Sequence, residues 1–385
     1  MNRVLILVNI TGLIIGISYG LHGPILPIFS KNIIGATYSE LGLIGLANFI
    51  PYMFIPLFVG ILLDKFNNGY LLAFGASINA ASIYLLSIVQ SVPEIMIFRI
   101  MTGIAHAFFW PPCESIISNH STGQNRIRNI SWFTMFFVIG FMTGPLIGTT
   151  FLENFEITYR ILFQITAFIL ATAIISSIII SKKSITNHHE RFSVSSIKEM
   201  KKFPEIIVLL IFCTSSFGIV LSIYPAFLND RGMSDTDVLY LYFAFGISRV
   251  VSLAFAGKLS RETSKTLTAA VVSISLGLAL SAVSESIWTF GVAMLFMGFG
   301  FSIFFPLTLE IILSRTKKGV SGKIIGAYET IFGIGWAIGP TFGGPITQTF
   351  GDKIPYTVFA LFGIGVVIIA LANRKKLEPK RVQDV

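Results

Sequence analysis

Seven ionisable side chains sit inside otherwise apolar runs of this 385-residue chain: His22, Arg99, His106, Glu114, Arg249, Glu310 and Glu329. Near the centre of a bilayer each would cost about 2.5–3.5 kcal/mol on insertion scales, so groups of this kind are retained for a task. Arg99, His106 and Cys113 are spaced by seven, two helical turns, and share one stripe. Arg99 offers a charge for an anionic solute or a carboxylate partner. A histidine's ordinary pKa of about 6.5 lets such a side chain change charge in a proton gradient. His106 is therefore read as a proton group, the other reading being a neutral ring bonded to a backbone carbonyl. His22 precedes Gly23-Pro24 and reads either as a relay or as a satisfied structural histidine. Glu114 and Glu310 each follow prolines by a few residues (Pro111, Pro112; Pro306). They are candidates for gating an inner mouth or carrying protons, against interfacial acids answering Arg126, Arg128 or Arg315. Glu329 needs a partner, and Arg249 is the one deep base left over, so the two are expected to pair.

Other chemistries find little support. There is no metal-ligand spacing, no nucleophile with a nearby base and no phosphate-cradling loop before a helix, so neither metal nor cofactor is expected. His188-His189-Glu190 reads as a solvated loop, and Cys113 and Cys213 as small apolar fillers. An integral membrane enzyme is the alternative of a different class.

The elements that must position these groups are membrane helices. The chain is 54% hydrophobic and 12% charged, with mean hydropathy +0.78, against roughly 25% charged for a soluble domain. The net charge of +9 sits at span ends rather than on a soluble face, which argues against nucleic acid. A span takes about 20 residues, and apolar runs predict twelve: 4–29, 39–62, 70–90, 94–117, 128–151, 160–181, 205–228, 236–258, 266–284, 287–313, 322–349 and 355–373. The expected class is all-α integral membrane, with two pseudo-symmetric six-helix bundles, 1–181 and 205–385, joined by a polar cytoplasmic linker, 182–204. Met1 to Phe29 reads as the first span rather than a cleaved signal. Only Lys31, Arg160, Arg231 and Lys353 fall in outside loops if both termini, including the short basic tail, are cytoplasmic.

The chain also repeats itself. Gly140, Gly144, Pro145 and Gly148 recur 195 residues on as Gly335, Gly339, Pro340 and Gly343. Gly103 and Pro111, with Phe109 and Trp110 before the proline, recur as Gly298 and Pro306 with Phe304 and Phe305. A duplicated helical unit can build a site between halves that rock against each other.

These residues resemble the major facilitator superfamily of secondary transporters over essentially the whole chain. Gly60, Asp64 and Lys65 are similar to its cytoplasmic loop signature, with Asn67, Asn68 and Tyr70 departing from it. Arg99, Gly103 and Ala107 look like the family's arginine signature. Ser131 with Gly140, Gly144, Pro145 and Gly148 resembles the antiporter signature, fuller in Gly326, Gly335, Gly339, Pro340, Gly343 and Gly344. The pattern is closest to proton-linked exporters of drugs and small molecules. The resemblance implies that spans 1, 4, 7 and 10 line a central cavity, placing His22, Arg99, His106, Glu114 and Glu310 on it. It also implies that Asp64 lies near Ser321-Gly322 and latches the halves on the cytoplasmic side. Tyr19, Phe109, Trp110, Tyr224, Phe304 and Phe305 are expected as cavity aromatics, an adaptable wall for loosely specified solutes. The expectation is a monomeric, multi-pass plasma-membrane transporter of small organic solutes, exporting by proton antiport. An importer or facilitator of a small anion or metabolite is the alternative.

Overall fold

The computed structural model describes residues 3–63, 65–121, 124–182, 200–315 and 321–379. Among the described residues there are helices and no strands. Eleven segments are long and apolar enough to cross a bilayer. They are built from α1 (Arg3–His22) with α2 (Ile25–Asn32), α3 (Tyr38–Leu63), α4 (Asn68–Leu86), α5 (Val92–Ala107) with α6 (Trp110–Asn119), α7 (Gln124–Asn154) and α8 (Tyr159–Ser181). After residue 200 come α9 (Pro204–Ser222), α10 (Tyr224–Asp230), α11 (Asp235–Ala254), α12 (Ala256–Leu259) leading into α13 (Thr263–Val283), α14 (Ile287–Ser314), α15 (Ser321–Phe350) and α16 (Ile354–Ala372). α15 is a further helix of 30 residues. Large apolar side chains such as Phe54, Phe58, Phe168, Phe342, Leu361 and Ile368 face outward. A water-soluble fold would bury them; hydrocarbon is their solvent here. The chain is a multi-pass membrane protein.

Helix breaks follow the proline chemistry only in part. The first span breaks at Gly23 and Pro24, and α9 gives way to α10 at Ile223, just before Pro225. The residues that recur in spans 4 and 10 do not recur as a break. Phe108 and Phe109 separate α5 from α6, whereas α14 runs straight through Pro306. Two consecutive prolines, Pro111 and Pro112, remove two amide donors and crowd two upstream carbonyls; a single proline does half of that and is absorbed.

Contacts repeat as the sequence does. The ring of Trp110 meets Phe133 at 5.4 Å and Phe137 at 5.1 Å, and Phe305 meets Tyr328 at 5.7 Å and Phe332 at 5.8 Å. Every residue of the second set lies 195 beyond its counterpart. The glycine motifs work alike: Gly140 and Gly144 abut Leu13 and Ile17 of α1, and Gly335 and Gly339 abut Ile211 and Ser215 of α9. At Gly144 a Cβ would stand 2.7 Å from the backbone of Gly20 and Leu21, closer than real carbons approach. Gly144→Val is thus expected to cost at least about 1–3 kcal/mol of overpacking, read as a lower unfolding temperature of the purified protein; an unchanged temperature would contradict this contact. Buried side chains form two main clusters, one drawn chiefly from residues before 182 and one chiefly from residues after 199.

At the end carrying Lys31, Arg160, Arg231 and Lys353 the two repeats are tied together. Lys31 pairs with Asp230 at 2.7 Å, and the Asn32 amide donates to Asn229 at 2.8 Å. These two contacts are reciprocal, because each residue of the second pair member lies 198 beyond a residue of the first pair member's helix. Tyr38 donates its hydroxyl to Asp230 at 2.7 Å and its N–H to the Gln348 side chain at 3.1 Å, and Tyr159 donates to Asp235. A cavity of about 540 Å³ lies beside this last bond, lined by Leu152, Glu156, Tyr159 and Ser234 among others. In the loops of the second repeat Glu285 accepts from Lys353 at 2.7 Å, which with Arg231 nearby holds its carboxyl below the usual range.

Candidate transport site

The embedded polar groups converge around His106. It ends α5, beside the double-proline break, which turns its ring toward α1 and α3. Its Nδ1 lies 3.0 Å from the Tyr19 hydroxyl, and the Trp110 indole N–H donates to its Nε2 at 3.0 Å. An indole nitrogen only donates, so Nε2 must accept and Nδ1 carries the proton toward Tyr19. In this arrangement His106 is neutral. It takes a second proton only by releasing Trp110, so its geometry is that of a positioning group for Tyr19 and Trp110.

Around it rings close into a belt. Tyr52 of α3 lies 4.9 Å from His106 and 5.5 Å from Trp336 of α15, and Trp336 lies 5.9 Å from His106. Trp336 continues to Phe217 of α9 at 6.1 Å, which meets Phe301 at 4.9 Å. Tyr52 also donates its hydroxyl to Glu329 at 3.0 Å. Glu114, on α6, acts electrostatically on both Tyr52 and Glu329. Glu114 of the first repeat and Glu329 of the second are both half-buried and lie within each other's electrostatic reach. Two like charges brought together ask for a counter-charge, either a proton or a solute cation.

The expected pair of Arg249 and Glu329 does not form. Arg249 does not meet Glu329: its Nε donates to Ser302 at 3.3 Å, and its guanidinium lies over Phe141, Phe217 and Phe245. The rings of Phe217 and Trp336 come between the two charges, which a count of unclaimed charges along the chain does not reveal. Glu310 is exposed in the penultimate turn of α14, away from this group, while Glu329 is turned toward Tyr52.

Arg99 makes no ion pair among the described residues, and its Nε is buried without a partner. His22 bonds through Nδ1 to the Ser18 carbonyl at 2.6 Å and is 1% exposed, a structural histidine with Nε2 unpartnered. Among the expected cavity aromatics, Tyr19, Trp110 and Phe305 are partly open, whereas Phe109 and Phe304 are buried in the packing. Tyr224 is fully buried in α10, its hydroxyl hydrogen-bonded with Ser281 and its ring packed on Phe227 and Tyr356. Tyr52 and Phe141 were not legible as site residues. Glu329, Phe332 and Trp336 do share a stripe at helical spacing, a signal that one face of α15 is special.

Gly60 lies in the last turns of α3 and Lys65 is exposed, while Asp64 lies outside the described residues, as does most of the 182–204 linker. Gly326 belongs to α15. The departures from the loop signature have structural work: Asn67 donates to the Ser181 carbonyl at 2.9 Å while accepting from the Gly69 N–H, and Asn68 donates to Ser115 at 2.7 Å. Those bonds tie the loop to α8 and α6. Gly343 packs on Ile219 and Ile223, and Gly344 on α3.

The family model described as Major Facilitator Superfamily matches residues 8–340 and 263–384. The quinolone resistance protein NorA of Staphylococcus aureus is 23% identical over 398 aligned residues, covering 100% of both chains. The multidrug resistance protein MdtG of Citrobacter koseri is 21% identical, covering 92% of this chain and 89% of its own. Among solved structures, the nucleoside transporter NupG superposes with TM-score 0.76 at 14% identity, over 96% of this chain and 99% of its own. A bacterial homologue of the human lysosomal transporter Spinster does so with TM-score 0.75 at 12% identity, over 97% of each chain. With the duplicated helical fold and a site shared by both repeats, the match along nearly its whole length means that this chain belongs to the major facilitator superfamily of membrane transporters.

Proposed function

We propose that the chain exports small, largely apolar aromatic molecules in exchange for protons, by alternating access between two six-helix bundles, 1–181 and 205–385, with both termini and the 182–204 linker in the cytoplasm. The carrying observation is that Tyr52 of the first repeat donates to Glu329 of the second inside a belt of rings, with a second acid, Glu114, within electrostatic reach of both. Such a pair exchanges a proton for a solute cation without leaving charge stranded, and the rings supply adaptable area with few fixed hydrogen bonds. The quinolone and multidrug resistance for which NorA and MdtG are named agrees with this reading. The positive-inside distribution supports the orientation. On that orientation the Lys31–Asp230 end is the outer mouth, here closed.

The test is flux of tetraphenylphosphonium, a fixed-charge aromatic cation, in proteoliposomes with an imposed pH gradient. Accumulation on the acidic side that collapses when the gradient is dissipated is the expected result. Equal flux with and without the gradient would make the chain a facilitator and remove proton coupling.

A further inference from the structure

Arg249 is poorly explained by packing alone. Its guanidinium carbon lies 5.4 Å from the ring centres of Phe141 and Phe217 and 5.5 Å from that of Phe245. Its Nε spends one donor on Ser302. No carboxylate pairs with it among the described residues. Among the described residues its terminal nitrogens are not sealed, unpartnered polar atoms, and the side chain is half-buried. The fork of N–H donors therefore looks into reachable space. Such a fork matches a carboxylate two bonds at a time, and the three ring faces hold it in one orientation.

The position of this cation gives the chamber a polarity. Phe217 lies beneath Arg249 and next to Trp336; Trp336 lies next to Tyr52; Tyr52 donates to Glu329, with Glu114 beyond. An unpaired cation and a pair of acids thus stand at opposite ends of one aromatic wall. An apolar cation uses the wall and the acids and leaves Arg249 idle. A solute carrying an acid as well as a base uses all three.

We propose that Arg249 is a carboxylate subsite, and that the chamber takes dipolar aromatic molecules with the acid on Arg249, the rings against Phe217 and Trp336, and the basic group toward Glu114 and Glu329. This rests on the export reading only for its direction; the subsite itself is a statement about binding. Phe141 comes from the first repeat and the other two rings from the second, so a bound carboxylate would also be felt at the junction of the repeats.

The test uses the purified full chain in detergent and two fluorescent probes with the same rings, rhodamine B with its free carboxylate and rhodamine B ethyl ester, read by fluorescence polarisation. Arg249→Met is expected to weaken rhodamine B by about tenfold or more, equivalent to about 1.4 kcal/mol, and the ester by less than about threefold. Arg249→Lys should recover part of the rhodamine B affinity. Equal weakening of both probes would make Arg249 a clamp between repeats and overturn the subsite, as would no change in either. Should Arg249→Met fail to fold, the unmodified chain still decides: benzoate should displace rhodamine B, and benzyl alcohol of the same size should not. Equal displacement by both, or by neither, overturns the proposal. Binding needs no gradient, so a chain that discriminates the probes yet fails to accumulate tetraphenylphosphonium keeps the subsite and loses the export reading; the reverse pattern keeps export and removes the subsite.

Discussion

Replacing both acids, Glu114→Gln with Glu329→Gln, should erase gradient-driven accumulation of tetraphenylphosphonium while the purified protein keeps its ordinary unfolding temperature. One pH unit is worth about 1.36 kcal/mol per exchanged proton, so a difference of about two units sustains a solute ratio of roughly a hundred in one-for-one exchange. With no group able to trade a proton for a cation, that ratio falls to about one. Glutamine keeps the size of the side chain and leaves Tyr52 an amide oxygen to donate to, so the bond made to Glu329 at 3.0 Å can persist and the fold with it. His106 serves as the contrast. Its Nε2 is already occupied by Trp110 and its Nδ1 faces Tyr19, so His106→Gln should weaken binding more than coupling. Accumulation that survives in the double acid variant would move the proton site elsewhere in the chamber.

The fold was legible because its signals are local and repeated. Apolar runs mark the spans, and Gly140, Gly144, Gly335 and Gly339 recur at one offset because each pair must admit the backbone of a neighbouring helix. Rare charges pointed to Arg99, His106, Glu114 and Glu329 for the same reason: their cost is visible wherever they occur. What the chain does not disclose along its length is which groups meet across repeats. Tyr52 is one neutral aromatic among many, and only the approach of α15 makes it the partner of Glu329. Counting charges pairs Arg249 with Glu329, whereas in the folded chain Arg249 lies over three rings and bonds to Ser302, contacts that its position in the chain does not announce. Tyr224 and Phe304 are expected in the chamber, yet both are buried in helix packing, because which face of a helix meets its neighbours is set by the approach of those neighbours.

The closed mouth itself invites the last test. Gly344 of α15 lies against α3, where a Cβ would stand 3.0 Å from the Gly42 Cα and closer still to the Tyr38 carbonyl oxygen. α3 and α15 belong to different repeats, so this contact must part whenever the mouth opens. A leucine at 344 burdens only the closed state, by about 1–3 kcal/mol, and each 1.4 kcal/mol is about tenfold in population. Gly344→Leu should therefore raise the open fraction by between about five- and a hundredfold. Ser222, buried beneath Gly45 on the same interface, supplies the reporter as Ser222→Cys, because native Cys113 and Cys213 are both buried. An impermeant maleimide added on the Lys31 side should label that cysteine faster by the same factor. Asp230→Asn, which removes the charge that Lys31 and Tyr38 share, should act in the same direction but more weakly, since the pair is partly exposed and worth about 1 kcal/mol or less. Labelling unchanged by the leucine, in protein that still binds rhodamine dyes, would mean that α3 and α15 do not separate during transport. The outer mouth would then have to open elsewhere, and the tie between the two repeats at Asp230 would be permanent.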